Sequence, residues 1–471
     1  MLQLSYLNKV MSITSKTVDI YHYSDVHGFH QPYPFTGNGP IGGAAGRRAT
    51  LREWGRKPED PLVGLGDGFY GSIAVNESRG ESAILEGNQL GYLFELLGNH
   101  DFRHGLEGLR RLRSLSDHDF LSNFIPVLGT DVPWKFQSSA VVNGVRVAFL
   151  PLTVPDPNVL PELNRRHVRV VDPFETTDAL LPKLLKQSDA VVGVTHLPEE
   201  TALRLAAKFP QFSAILNGHP HRVLMDHVNN VLVAQVGGYG QRVGKLTLSF
   251  DENNRCIGAK EQIRDVTAKV SKNDRRAMKE LRPWVALEEQ QWRKIVGHTH
   301  FELKGNGGRT TVFGECLADA VRESSKADFA FIPSSSVRRR IDKGAISEAH
   351  LHYTVSEERE IVIVRVSLNS IAPLLERLWS TDQLIPSGIK YNYDPSLRGG
   401  RRIRFSHHGR SISWTKKYAI ALLRKPDVPF SLEGVSYVST NMTTRDAFRS
   451  YVSTHTPLKR STSDNRVQFR F

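Results

Sequence analysis

The sequence predicts an α/β protein built from more than one domain, and two observations carry that reading. Five short apolar runs, residues 18–23 (VDIYHY), 61–65, 93–97, 190–194 and 213–216, each end in a turn bearing Gly, Asp, Asn or His. Helix-forming segments such as 107–115 and 200–207 fall between some of them. Strands alternating with helices, with polar loops after the strands, are the plan of α/β folds, whose sites lie at the carboxyl strand ends. The length of 471 residues agrees, since at roughly 150 residues per domain it divides into about two or three.

After Phe250 the character changes. Residues 265–291 are charged and helix-prone, interrupted by Pro283, and beyond them strand-like runs return at 330–332, 361–366, 390–393, 411–414 and 419–423. The expected division is therefore a catalytic domain over 17–255, a helical connector over 256–294 and a second domain over 295–471. With 39% hydrophobic and 24% charged residues the chain has ample material for buried cores, which excludes a disordered tail. Cys256 and Cys316 are too few for a disulfide framework. No run approaches the ~18 consecutive apolar residues of a transmembrane helix, and the first twenty lack a signal-type apolar region. A cytoplasmic protein with no membrane partner is the expectation. The net charge of +13 directs attention to anionic partners, either nucleic acid or phosphorylated small molecules.

The loops after the apolar runs supply Asp25, His27, Asp67, Asn99, His196, His219 and His221. Carboxylate, amide and imidazole form a mixed oxygen–nitrogen donor set suited to two divalent metals, with a carboxylate such as Asp67 able to bridge them. Asp-x-His and His-x-His at strand ends point both side chains the same way, because alternate residues share a face. Two such ions about 3.5–4 Å apart acidify a bridging water and clamp both oxygens of an in-line phosphoryl displacement.

The ordered pattern Asp25-x-His27, Gly66-Asp67, Gly98-Asn99-His100-Asp101, His196 and Gly218-His219-x-His221 resembles the calcineurin-like metallophosphoesterase superfamily. The stretches Ser24-Asp25-Val26-His27-Gly28 and Gly66-Asp67 with Gly71-Ser72 are similar to the 5'-nucleotidase family, as is Gln235-Val236-Gly237-Gly238-Tyr239-Gly240 with Gly244. Further on, Leu317-Ala318-Asp319-Ala320-Val321-Arg322, Ala327-Asp328-Phe329-Ala330, Val337-Arg338 and the run from Gly388 to Asp394 resemble that family's C-terminal domain. The resemblance implies a four-layer α/β/β/α sandwich followed by a smaller α/β domain. It implies that Asp25, His27 and His221 hold one divalent ion and Asn99, His196 and His219 the other, with Asp67 bridging; zinc, manganese and iron all suit the donors. His100 would stabilise charge on the phosphate or leaving group or act as an acid, and Arg338 would contact substrate phosphate. The implied reaction is hydrolysis of a phosphomonoester, on a nucleotide or related small molecule, by hydroxide on the dinuclear site. The alternatives are a phosphodiesterase acting on cyclic nucleotides, sugar nucleotides or nucleic acid, and a relative that binds a phosphorylated ligand without turnover.

Three positions depart from the family pattern. Arg103 stands where the family has an Asp paired with the catalytic His, and Ser334-Ser335-Ser336 replaces a glycine triad ahead of Val337-Arg338. The base-gripping aromatics are replaced by Gln383, Leu384 and Ile385 at one site and by 430–434 (FSLEG) at the other. Two further motifs compete for notice. Residues 66–71 match G-x-G-x-x-G with Glu86 about twenty residues on, as a dinucleotide fingerprint does. The metallophosphoesterase pattern accounts for the same segment. Gly297-His298-Thr299-His300 follows the helical stretch and reads as surface or domain-interface residues.

Overall fold

The structure, a computed structural model, describes residues 16–471 except 36–40, 155–165, 268, 306–310, 356–358, 380–381, 398–401, 408, 425–434, 460–466 and 470–471. The 430–434 stretch and the first part of the basic run 398–404 thus lie outside the described residues. The chain divides into two compact units, Met1–Leu287 and Glu288–Phe471.

In the first unit, Lys16–Tyr23 is the pivot of a six-stranded sheet. It pairs antiparallel with Arg242–Phe250, itself flanked by Cys256–Asp265, and parallel with Leu62–Gly64, followed by Phe94–Leu96 and Asp119–Leu121. A second six-stranded sheet runs Val223–Val228, Val231–Val236, Ala214–Gly218, Ala190–His196, Val145–Thr153, Ser138–Val142. Alternation along the strands decides how the sheets stack. Val18 and Ile20 join Val63, Leu65, Phe94 and Leu96 against Val147, Phe149, Val192, Val194 and Leu216, which makes a dry layer between the two sheets. Their neighbours Tyr21 and Tyr23 face the other way, into a cluster with Leu51, Leu62 and Leu90 under the helices Ala44–Glu53 and Glu81–Leu90. On the far face of the second sheet, Leu150, Val191, Ile215 and Val233 pack beneath the helices Pro173–Leu185 and Glu199–Lys208. Helix, sheet, sheet and helix form the four layers.

Residues 256–265, included in the expected helical connector, form a strand of the first sheet, and helix begins at Lys272. Their side chains alternate between exposed and half-covered on a sheet edge, so the segment is polar enough to read as a linker.

In the second unit a five-stranded sheet runs Leu384–Ser387, Phe329–Pro333, Lys417–Arg424, Glu360–Ser367, Tyr437–Thr443. One face packs on the helices Val312–Ser325 and Thr444–Thr454 through Phe313, Leu317 and Phe448. The other packs on Leu368–Leu378 and a small sheet that carries Tyr391 and Phe405. Gly297–His300 lies at the end of the strand Ile295–Thr299 in this unit, with His298 and His300 exposed.

Candidate metal centre

Each predicted donor sits where a strand of the first unit ends. Asp25 and His27 follow Lys16–Tyr23, Asp67 follows Leu62–Gly64, and Asn99 follows Phe94–Leu96. His196 is the last residue of Ala190–His196, while His219 and His221 follow Ala214–Gly218. Parallel neighbours bring these ends together, and the loops lock onto one another. Asp25 N–H donates to the Gly66 carbonyl (3.1 Å), and His27 N–H donates to that of Asp67 (2.9 Å).

Five of the seven donors, Asp25, His27, Asp67, His219 and His221, hold φ between 48° and 85°. Non-glycine residues rarely adopt that left-handed region, and such strain collects at sites the surrounding structure over-determines. The result is convergence. Donor atoms of Asp25, His27, Asp67 and His221 all lie within 4.8 Å of one another. Alongside them, Asn99 Oδ1 is 3.1 Å from both His196 Nε2 and His219 Nδ1, and His196 Nε2 is 3.3 Å from Asp67 Oδ2. Asp67 is thereby shared between the two groups.

The ring orientations are set from behind. His27 Nδ1 donates to the Tyr70 carbonyl (2.7 Å) and His196 Nδ1 to that of Leu65 (2.8 Å), which leaves both Nε2 lone pairs facing inward. His27 Nε2 and His221 Nε2 approach to 3.2 Å, a contact that calls for a cation or a proton between them. The carboxylates make the same demand, for the Asp25 and Asp67 side chains are 0% and 2% exposed. Burial works to raise both acids, yet the charge of His196 holds them below the ordinary carboxylate range. In return, against burial, Asp67 and Asp25 lift His196 to about 10, and Asp25 lifts His221 to about 9. His27, dominated by burial, falls to about 4. Two buried acids that keep protons on neighbouring imidazoles form a site wanting positive charge, and its oxygen and nitrogen donors fit divalent ions.

Several supporting residues escape sequence reasoning. Asp101 accepts backbone N–H groups of Asp67 (2.9 Å), Phe69 (2.8 Å) and Gly98 (2.8 Å), which fastens the Asp67 and Asn99 turns to each other. Tyr239 donates its backbone N–H to the Asp25 carbonyl (2.6 Å), and its ring lies 4.8 Å from that of His221. Arg47 is fully buried, held by Glu86 (2.6 Å), and donates to the Phe29 carbonyl (3.1 Å) behind the His27 loop. Glu86 also meets His30 (2.7 Å), so it is engaged in this network and is not a ribose-binding acid of a dinucleotide site. Nothing in the local sequence marks these contacts.

His100 adjoins the donors, its backbone N–H on Asp67 Oδ1 (2.8 Å) and its ring 5.6 Å from that of His27. Arg338 belongs to the second unit, after the turn Ser334–Ser336, with its backbone N–H on the Thr354 carbonyl (2.7 Å). Within that unit Arg359 donates to Ser335 Oγ (2.9 Å) and Ser336 Oγ (3.3 Å). Burial and then the charge of Arg338 lower the Arg359 pKa, the mark of two guanidinium groups held near each other.

Two stacked six-stranded sheets with a buried acid–imidazole cluster at their strand ends define a metallophosphoesterase. Comparison with known proteins gives the same class: residues 18–223 match the calcineurin-like phosphoesterase family and residues 292–424 the 5'-nucleotidase C-terminal domain. The chain belongs to the calcineurin-like phosphoesterases and carries the C-terminal domain of the 5'-nucleotidases. That family uses a dinuclear divalent metal centre. Among curated proteins, endonuclease YhcR of Bacillus subtilis is 25% identical over 367 residues, covering 70% of this chain and 30% of that protein. The trifunctional nucleotide phosphoesterase YfkN of the same organism is 22% identical over 398 residues, covering 73% and 27%. The chain thus spans less than a third of the length of either relative. Among solved structures, a 5'-nucleotidase precursor from Thermus thermophilus shares the fold with a TM-score of 0.81 at 20% identity, over 96% of this chain and 99% of that one. Among the described residues no helix is long and apolar enough to cross a membrane.

Proposed function

We propose that this chain is a metal-dependent hydrolase that removes a phosphoryl group from a nucleotide or related small phosphorylated molecule. The observation that supports it best is the buried convergence of Asp25, His27, Asp67 and His221 with the Asn99, His196 and His219 group. In this reading Asp25, His27 and His221 hold one divalent ion, Asn99, His196 and His219 hold the second, and Asp67 reaches both. When bound, the ions supply Lewis acidity that polarises the phosphoryl oxygens and makes water acidic.

The chain's own residues do the positioning. The Tyr70 and Leu65 carbonyls fix the His27 and His196 tautomers, and Asp101 holds the two acidic turns in register. His100, pinned by its backbone to Asp67, is placed to donate a hydrogen bond to oxygen on the reacting phosphorus. Arg338, with Arg359 in the same unit, offers cationic recognition of substrate phosphate. The nucleotide class rests on the printed activity of the relative YfkN and on the second unit's family match. Action in the cytoplasm is part of the proposal, and the free thiols of Cys256 and Cys316 suit a reducing compartment. The test is hydrolysis of p-nitrophenyl phosphate by the full chain with added manganese. Turnover that disappears with a chelator and in Asp67→Asn supports the reading, and turnover indifferent to both refutes it.

A further inference from the structure

We propose that Arg103 makes His100 a fixed hydrogen-bond donor, so that this chain cleaves phosphoryl groups from leaving groups that depart without taking up a proton. Those are phosphoanhydrides and aryl esters, in preference to alkyl esters of a sugar hydroxyl. The proposal deepens the hydrolase reading and rests on it.

The geometry begins at Arg103, whose Nε donates to His100 Nδ1 at 3.3 Å. A guanidinium has donors only, so this contact requires a lone pair on Nδ1 and leaves the ring's one proton on Nε2. The arrangement is braced from several directions. The Arg103 guanidinium carbon lies 4.9 Å from the Tyr70 ring centroid, in cation–π range, and the Tyr70 ring runs parallel to that of His100 at 6.0 Å. Arg103 sits in the turn Asp101–His104, whose first residue accepts the three backbone N–H groups described above, and Arg103 N–H closes onto the His100 carbonyl (3.1 Å).

A histidine that serves as general acid carries protons on both ring nitrogens, and here a second proton on Nδ1 would face the Arg103 N–H. His100 therefore offers Nε2–H as a hydrogen bond and keeps it. In the reaction a water oxygen attacks phosphorus, and the bond from phosphorus to the leaving oxygen breaks. That bond's electron pair goes to the leaving oxygen, which departs as an anion hydrogen-bonded to His100 Nε2–H, while the water's proton passes to solvent. A phosphate or nitrophenolate leaves readily in this way. A ribose hydroxyl would have to leave as an alkoxide.

The full chain with manganese is assayed on two matched pairs, ADP against AMP and p-nitrophenyl phosphate against phenyl phosphate. General acid catalysis contributes 10²–10⁴-fold, so kcat/KM for terminal phosphate release from ADP is expected to exceed that for AMP by about 100-fold or more. Arg103→Asp, which supplies an acceptor to the same ring nitrogen, should raise AMP turnover and shrink that ratio to about tenfold or less, while Arg103→Lys should leave it wide. A purely structural role for Arg103 would lower all four substrates together and leave the ratios unchanged. Equal kcat/KM for ADP and AMP in the unaltered chain overturns the inference, as does an unchanged ratio in a folded Arg103→Asp. If no entry of the panel shows manganese-dependent turnover, the hydrolase reading falls and this inference with it.

Discussion

Arg47 shows how much of the site's precision is held by residues that touch no substrate. Its guanidinium is buried between Glu86 and the Phe29 carbonyl, one step behind the His27 loop. Removing one partner from a buried pair typically costs about 3–5 kcal/mol, because the other charge is left uncompensated. Arg47→Ala should therefore lower stability by about that amount in urea unfolding, whereas Arg47→Met with Glu86→Leu should cost much less. The pair also gives a pH signature. Burial pushes the Glu86 carboxyl up, but Arg47 and His30 outweigh it, so the folded value lies below the ordinary 4.5. A depressed carboxylate stabilises the fold above its unfolded pKa, and that contribution drains away as pH falls through the lower folded value. Stability should thus drop more steeply below pH 4.5 in the unaltered chain than in the double variant, which acid titration of the unfolding midpoint would check. The donors were legible because Asp-x-His and His-x-His after apolar runs carry chemistry in their spacing. Arg47 was not, since the helix Ala44–Glu53 (AAGRRATLRE) shows no face that marks one arginine as interior. The Arg103–His100 contact was likewise hidden, although the sequence did single out Arg103 as the unexpected residue.

Turns carry the strain that strands cannot. Gly66 has φ 92°, and a Cβ there would lie 2.5 Å from His196 Nδ1 and 2.9 Å from Gly98 Cα. Gly66→Ala should displace His196 from the Leu65 carbonyl, and disturbing such an outer partner costs about 10–100-fold in metal affinity. Titration calorimetry with manganese would measure that loss, and unaltered affinity would show that the turn yields more readily than its packing suggests. Ser72 does a related task at the start of the helix Ile73–Glu77, where its Oγ accepts from Val75 N–H (3.2 Å) and donates to the Gly28 carbonyl (2.6 Å). Ser72→Ala loses a cap and a tie to the His27 loop, an expected cost of about 1–2 kcal/mol by urea denaturation. The elements themselves were readable in proportion to their burial. Residues 190–194 and 213–216 stood out as apolar runs, and the structure extends both to the site as Ala190–His196 and Ala214–Gly218. Edge strands hid. Cys256–Asp265 is too polar to announce itself, and the run expected at 411–414 keeps only the two-residue strand Arg410–Ser411.

Across the whole molecule, the buried acids leave a deficit that bound cations would relieve. A ligand that binds only the folded state adds about 2.7 kcal/mol when present at about 100 times its Kd. The thermal midpoint of the chain should therefore climb with manganese concentration, and Asp67→Asn should flatten the dependence, as differential scanning calorimetry would record. The two-unit organisation was visible as a change of character after Phe250, whereas the four-layer stacking came from family resemblance, because apolar runs alone do not say which sheet they join. One pairing also bears on how the protein is made. Lys16–Tyr23, the first strand to leave the ribosome, takes Arg242–Phe250 as its antiparallel neighbour. At a synthesis rate of about 5–20 residues per second, the roughly 230 residues between them keep the nascent strand waiting on the order of 10–50 seconds for its partner. During that interval one side of the Asp25 loop's parent strand lies open to chaperones or to stray pairing, so the catalytic unit should be acquired late in translation, after its final strands emerge.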